Sequence, residues 1–162
     1  MYLFLLQMGF KEIEVGFPSA SQTDYDFVRY LIDNKLIPDD VWIQVLIQSR
    51  EDLISRTIDA VEGAPNVVLH LYNATSVLQR RVVFRESTEG VKKIATDGLT
   101  FMRGLVEKRL TASNVRLEYS PESFTGTELD VAMEVCEAAL DTYTANTGYS
   151  NLFRLFRSFE HF

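Results

Sequence analysis

Four short segments of the chain alternate between apolar and polar side chains with a period of two residues. Because successive side chains of a β-strand point to opposite faces, each segment predicts a strand with one apolar face and one polar face. We place these strands near residues 12–17, 41–48, 66–73 and 115–121. Their polar members all fall at even positions, namely Glu12, Glu14, Gln44, Gln48, His70, Tyr72, Arg116, Glu118, Ser120 and Glu122.

Apolar residues at helical spacing fill the intervals between the four predicted strands. Thr23 and Ser49 each precede an aspartate by three positions, as in a capping box, and predict the starts of the first two helices. A longer helix is predicted over about 88–109, where Gly98 and Gly104 should each cost about 1 kcal/mol. A fourth helix follows the last strand. This alternation of strands and helices predicts a parallel sheet with helices packed on its apolar face.

The predicted fold is therefore α/β, with about four βα units of a (β/α)8 TIM barrel whose polar strand faces line the interior. Four strands leave two sheet edges to be covered. We expect a partial barrel domain over residues 1–142 and a divergent, helical tail over residues 143–162. The tail could dock on exposed sheet or on a second copy of the chain. The alternative is a terminal helix that packs on its own domain. Its large apolar residues are Leu152, Phe153, Leu155, Phe156, Phe159 and Phe162.

Charge and cysteine content narrow the possible partners and compartment of this 162-residue chain. It has 16 basic and 23 acidic residues, a formal charge of −7 and a pI near 4.8, which disfavour binding to nucleic acid or anionic membranes. Its apolar opening is far shorter than a membrane span and has no basic leader. Cys136 is the only cysteine, so an intramolecular disulfide is excluded and a reducing cytoplasm is indicated.

Longer stretches of the chain resemble the 2-isopropylmalate synthase family. They are residues 9–24 (GFKEIEVGFPSASQTD), 43–50 (IQVLIQSR), 70–84 (HLYNATSVLQRRVVF) and 118–129 (EYSPESFTGTEL). In that order they resemble strands two to five of the family's metal-dependent TIM barrel, in one register over roughly residues 5–140. The family consists of acyltransferases that condense acetyl-CoA with 2-oxoisovalerate to give 2-isopropylmalate in leucine biosynthesis.

The resemblance implies a substrate site at the carboxyl ends of the strands. It assigns five residues to the keto-acid pocket: Leu46, His70, Tyr72, Ser120 and Glu122. Leu46 is the apolar member that a branched substrate requires, and Glu122 lies at the reacting centre. His70 and Glu122 are the catalytic candidates, because a partly buried imidazole or carboxyl group can titrate near neutral pH. For His70, a hydrogen-bonded role in the core is the structural alternative.

The family's metal-binding motifs are missing from the sequence. In full-length members a divalent metal (Mg, Mn or Zn) is held by an Arg-Asp strand motif and a His-x-His pair, whereas the only histidines here are His70 and His161. We therefore predict no metal ligands, no tightly bound metal and no synthase activity from this chain alone.

Several alternatives remain open. The chain could derive from a homocitrate or citramalate synthase, or act as a noncatalytic fragment that pairs with itself or with full-length synthase; a homo-oligomer is expected in either case. Arg80 and Arg81 either contact the phosphates of coenzyme A or lie in a solvated loop, which we favour. Cys136 is expected to be a small buried apolar side chain.

Overall fold

A computed structural model describes residues 1–144 and, for the backbone alone, residues 153–155. A π-helical turn spans Arg80–Phe84, and a 3-10 turn spans Phe124–Gly126. The helices and strands in chain order are α1 (Tyr2–Gln7), β1 (Glu12–Gly16), α2 (Gln22–Asp33), β2 (Trp42–Gln48), α3 (Glu51–Val61), β3 (Asn66–Ala74), α4 (Val77–Gln79), α5 (Thr88–Arg109), β4 (Asn114–Glu122), α6 (Leu129–Thr144) and β5 (Phe153–Leu155).

The strands form one parallel sheet in the order β1-β2-β3-β4-β5. The four predicted strands are confirmed within one residue at each end, and α5 begins and ends where the apolar spacing placed it. Helices α2, α3, α5 and α6 each pack on the strand that precedes them. The expected α/β fold with part of a TIM barrel is therefore confirmed.

The two faces of the sheet differ as the alternation predicted. In β2 the odd-numbered residues Ile43, Val45 and Ile47 are fully buried beneath the helices, and the even-numbered residues between them are only partly buried. Burying each such aliphatic side chain contributes about 1.5–3 kcal/mol to stability. The helices are held on one face by this apolar burial, which leaves the other face for polar side chains.

Two helix starts differ from the prediction. Ser21, not Thr23, caps α2, because its Oγ accepts a hydrogen bond from the backbone N–H of Asp24 at 3.1 Å. Arg50 occupies the N-cap position of α3 and makes no side-chain cap. Ser49 instead donates its hydroxyl to the carbonyl oxygen of Ile94 at 2.7 Å, since it lies at the buried end of β2 against α5.

The Ser49 side chain, which is hydrogen-bonded to the Ile94 carbonyl, fills the space beside Gly98. We therefore expect Gly98→Ala to lower the free energy of unfolding by about 1–2 kcal/mol. A Cβ atom at Gly98 would overlap Ser49 Oγ and lie 3.1 Å from Ser49 Cβ, so the serine would have to turn away from the Ile94 carbonyl. That loss exceeds the gain in helix propensity, which is about 1 kcal/mol. Urea unfolding monitored by circular dichroism measures the change.

Gly104 provides the matched control in the same helix. A Cβ atom there would have no neighbour within 4 Å, so Gly104→Ala should stabilise the chain by about 0.5–1 kcal/mol. In the double variant Ser49→Ala/Gly98→Ala the overlapping oxygen is gone, and part of the lost stability should return. Equal effects of the two glycine substitutions would contradict the packing role of Gly98.

The tail was predicted to be helical, and its residues 153–155 differ from that prediction. Phe153–Leu155 form strand β5, which pairs with Leu117–Tyr119 of β4, so these three positions are not helical. The edge of β4 offers unpaired backbone N–H and C=O groups, and an extended segment satisfies them where a helix cannot. The other predicted tail positions from 145 onward lie outside the described residues. Within the described residues, no helix is both long enough and apolar enough to cross a bilayer.

Candidate functional site

Polar side chains from β1 to β4 form a connected network on the face of the sheet away from the helices. Gln44 Nε2 donates to Glu14 Oε2 at 3.3 Å and also lies 3.3 Å from His70 Nδ1. Glu118 Oε1 lies 3.3 Å from the same ring nitrogen, and His70 Nε2 lies 2.7 Å from Ser120 Oγ. His70 is thus the centre of the network, with a polar neighbour at each ring nitrogen.

Arg116 lies on the same face, toward the amino ends of the strands. Its guanidinium lies over the ring of Trp42 at 3.8 Å from the ring centroid, and one nitrogen is 3.9 Å from Glu12 Oε1. Glu12 and Arg116 come from β1 and β4, so their side chains meet across the two strands between them. Such a meeting is typical of a sheet that curves toward its polar face, as barrel strands do.

All five residues predicted for the keto-acid pocket lie on this face, between the middle and the carboxyl ends of β2, β3 and β4. Leu46 is the register neighbour of His70, and Tyr72 is the register neighbour of Ser120. Glu122 follows at the end of β4, opposite Ala74. The structure brings the set together; the role of each member in binding or catalysis stays a prediction.

Burial and charge shift the protonation of three of these groups. Burial lowers the pKa of His70 to about 4, so the imidazole is neutral at pH 7 and acts as a hydrogen-bonding group. Burial also raises the pKa of Tyr72, and the nearby carboxylate of Glu122 adds to that rise. The pKa of Glu122 is itself raised by desolvation, although its side chain reaches solvent at the end of the strand. A carboxyl group with a raised pKa is suited to exchanging a proton with a ligand.

Phe17 belongs to the site but was not predicted. Its ring packs edge-on against Tyr72, with centroids 6.0 Å apart and an interplanar angle of 73°. An irregularity between Glu14 and Gly16 shifts the register of β1, so the alternation that placed Phe17 on the apolar face no longer holds. The backbone N–H of Phe17 donates to Asp24 Oδ2 at 2.8 Å, which fixes the turn. The sequence signal for this shift is Gly16, whose φ of +137° favours glycine.

The loops that follow β3 and β4 contact each other at the carboxyl end of the sheet, the end toward which the predicted pocket residues lie. Arg80 forms an ion pair with Glu128, and Thr75 Oγ1 lies 2.8 Å from Thr127 Oγ1. Arg80 is only 8% exposed, so the predicted solvated loop is wrong for this residue, whereas Arg81 is exposed. The guanidinium of Arg80 is committed to Glu128, because a buried charge is stable only when paired.

Cys136 lies outside the polar network and is buried on α6. Burial raises the pKa of its thiol to about 11, so almost no thiolate is present at neutral pH. The prediction of a buried apolar side chain is confirmed.

The described residues do not by themselves fit a divalent metal. None of them form a group of three or more His, Cys, Asp or Glu side chains that could hold a metal ion. The acidic groups of the network already contact protein partners, with Glu14 accepting from Gln44 and Glu118 lying beside His70. No metal-dependent step is therefore assigned to these side chains.

Comparison with known proteins shows the family of the chain. The sequence model of the HMGL-like family matches residues 1–150. The chain is 57% identical over 143 residues to a 2-isopropylmalate synthase of Parafrankia sp. strain EAN1pec, covering 88% of this chain and 25% of that protein. It is 55% identical over 143 residues to the Rhodospirillum rubrum synthase, which covers 88% of this chain and 26% of that protein. It is 57% identical over 141 residues to the synthase of Corynebacterium glutamicum strain R, which covers 87% of this chain and 23% of that protein. The resemblance is thus confirmed, and the chain spans about a quarter of the length of these relatives.

Proposed function

The chain belongs to the HMGL-like family, and from this membership we propose that it supplies strands two to five of the catalytic barrel of a 2-isopropylmalate synthase. Such an enzyme condenses acetyl-CoA with 2-oxoisovalerate in leucine biosynthesis. The observation that carries the proposal is the polar face of the sheet, where Leu46, the His70–Ser120 pair and Glu122 lie together. These side chains form the keto-acid part of the pocket.

The chemistry of this face suits a branched keto acid. Leu46 and the Phe17–Tyr72 ring pair offer apolar surface for the isopropyl group. The Ser120 hydroxyl, which lies against the neutral imidazole of His70, offers hydrogen bonds to the oxygens of the ligand. Glu122, whose pKa is raised, can exchange a proton at the reacting centre.

The same face argues against the two sister enzymes. The substrate of a homocitrate synthase carries a second carboxylate, which needs a cation in a partly buried pocket. In the part of the chain that the structure describes, the charged side chains of β3 and β4 on this face are the acids Glu118 and Glu122, together with Arg116, which lies over Trp42 and beside Glu12. Pyruvate, the substrate of a citramalate synthase, lacks the branched end and would leave the apolar surface around Leu46 uncovered.

Several parts of the proposal concern the whole protein. In the family a divalent metal serves the reaction, and we propose that its ligands come from segments other than the residues described here. Self-association and a cytoplasmic location remain predictions. A noncatalytic fragment that pairs with full-length synthase is the second candidate, favoured by the absence of the Arg-Asp and His-x-His motifs from the sequence.

A chimeric enzyme tests the proposal directly. Residues 1–142 would replace the matching segment of the Corynebacterium glutamicum synthase, to which the chain is 57% identical. We expect the chimera to release thiol from acetyl-CoA with 2-oxoisovalerate as the acceptor. Its kcat/KM with pyruvate should be lower, because each missing methylene in an apolar pocket typically costs about 10–200-fold.

Two controls decide between the candidates. The isolated chain should show no turnover under the same conditions, since it lacks the metal-binding motifs. A chimera that folds with the circular dichroism spectrum of the parent synthase but condenses none of the keto acids would favour the noncatalytic fragment. Preference for pyruvate or 2-oxoglutarate would instead favour a sister enzyme.

A further inference from the structure

Thr75, the first residue after β3, contacts the backbone of Glu122 at the end of β4. Its backbone N–H donates to the carbonyl oxygen of Glu122 at 3.2 Å, and its hydroxyl oxygen lies 3.3 Å from the same carbonyl oxygen. Thr75 is fully buried, so its hydroxyl has to find its partners within the protein. The loop after β3 therefore holds the peptide group that ends β4.

Thr127 extends this contact to the next residue of the chain. Its Oγ1 lies 2.8 Å from Thr75 Oγ1 and 3.1 Å from the carbonyl oxygen of Ser123. Ser123 has a φ of +59°, in the left-handed region that residues other than glycine rarely adopt. Such a conformation persists only where surrounding contacts hold it. Whichever threonine hydroxyl donates to the other, the pair holds the turn that directly follows Glu122.

The position of the Glu122 carboxyl group depends on this backbone. The side chain is exposed at the end of β4, so packing restrains it less than it restrains the buried members of the site. The direction of its Cα–Cβ bond is set by the peptide groups on either side of the residue. Because a misplacement of about 1 Å can lower a reaction rate about 10²-fold, contacts that fix these peptide groups affect the chemistry of the carboxyl.

We propose that Thr75 is a positioning residue whose hydroxyl, together with that of Thr127, fixes the backbone of Glu122 and Ser123 so that the Glu122 carboxyl faces the keto-acid pocket. This inference rests on the proposed function, which assigns proton exchange to Glu122. Thr75 acts through Glu122 and not on the ligand.

Carbon-13 nuclear magnetic resonance of the Glu122 carboxyl tests its placement in the full chain without any ligand, and Glu122→Gln assigns the signal. Desolvation raises the pKa of this carboxyl above its ordinary value of 4.5 in the parent chain. Thr75→Val removes the hydroxyl at similar size, so the carboxyl should turn toward water and its pKa should fall toward 4.5. Thr75→Ser keeps a hydroxyl and should retain the raised pKa. Tyr72, whose own pKa is raised, stays protonated over this range.

The chimeric synthase tests the consequence for catalysis. Thr75→Val should lower kcat with 2-oxoisovalerate by about 10–100-fold. The KM should change little, because Leu46 and Ser120 lie on the strands and keep their places. The limb of the pH profile that belongs to Glu122 should move to lower pH, in the same direction as the pKa. Thr75→Ser should restore most of kcat, which loss of packing alone would not explain.

Thr57→Val is the matched control for this substitution. Thr57 is also fully buried, on α3, where its hydroxyl donates to the Leu53 carbonyl oxygen at 2.9 Å and lies 3.2 Å from Ser19 Oγ. The variant should leave kcat and the Glu122 titration unchanged. If Thr75→Val does not fold, Thr127→Val removes the other hydroxyl of the pair and should change kcat and the titration in the same direction.

Four results would overturn the role of Thr75. They are an ordinary pKa of Glu122 in the parent chain, an unchanged Glu122 titration in the folded valine variant, an unchanged kcat of the corresponding chimera, and equal losses in Thr75→Val and Thr75→Ser. A chimera that is inactive before any of these substitutions would instead reject the proposed function. The titrations of the full chain would then still decide whether Thr75 positions the Glu122 carboxyl.

Discussion

Acidification to about pH 4 should reduce the free energy of unfolding of the chain by about 3 kcal/mol through His70 alone. The imidazole has an ordinary pKa of 6.5 in the unfolded chain, and burial lowers this pKa to about 4 in the folded protein. At about 1.36 kcal/mol per pH unit, the gap between the two pKa values corresponds to this loss. The side chain is 14% exposed, so solvent screens the effect little.

The direction of the change follows from proton binding in the two states. Above pH 6.5 the imidazole is neutral in both the folded and unfolded chain, and it contributes no pH dependence. As the pH falls toward 4, the unfolded chain binds a proton that the folded chain excludes. The unfolded state therefore gains stability over this range, and the folded protein loses it.

Urea unfolding of the parent chain and of His70→Gln at pH 7 and pH 4.5 isolates this contribution. Carboxyl groups titrate in both proteins, so their effect largely cancels in the difference between the two pH values. The parent should lose about 2–3 kcal/mol more than the variant. The resonance of the His70 ring, assigned with His161→Gln, should titrate near pH 4. Equal losses in both proteins, or titration near 6.5, would contradict a buried neutral imidazole.

The site face was predictable because side-chain alternation in a strand is fixed by the backbone. Once a regular strand is identified, every second residue lies on one face, so His70, Tyr72, Ser120 and Glu122 had to lie together if β3 and β4 were neighbours. Parallel pairing then placed their carboxyl ends at one edge of the sheet. No knowledge of the tertiary structure was needed for this step beyond the order of the strands.

The features that could not be predicted depend on contacts between distant segments or on local departures from regularity. Arg80 is buried because it meets Glu128, 48 residues further along the chain. Ser49 matches a capping pattern, but its hydroxyl is taken by the Ile94 carbonyl of α5. Phe17 changes face because of the irregularity in β1. A local pattern carries no information about such partners, and tertiary contacts overrode it in each case.

The side-chain contacts of His70 within the site could not be predicted from the local pattern either. The alternation placed Gln44 and Glu118 on the same face as His70, but it could not show that both would lie 3.3 Å from Nδ1. These distances depend on side-chain conformations and on the curvature of the sheet. Distances in the folded protein were needed before these contacts of the ring were known.

Glu122→Gln in the chimeric synthase should lower kcat/KM with 2-oxoisovalerate by about 10²–10⁴-fold, the usual contribution of a positioned acid or base. The amide keeps the size and hydrogen-bonding capacity of the side chain but cannot exchange the proton. Stability should change little, because Glu122 is exposed at the end of β4. The raised pKa of this carboxyl also predicts that a limb of the pH profile of kcat/KM disappears in the variant.

Glu137→Gln is the matched control for this prediction. Glu137 is an exposed glutamate of α6, a helix packed on the apolar face of the sheet, so the same chemical change occurs away from the candidate site. It should leave kcat/KM and its pH profile as in the unsubstituted chimera. If Glu122→Gln instead raised KM alone and kept kcat and the pH profile, Glu122 would act in binding the keto acid, because loss of uniform binding changes KM without slowing the chemical step. Proton transfer would then have to come from a group outside β4.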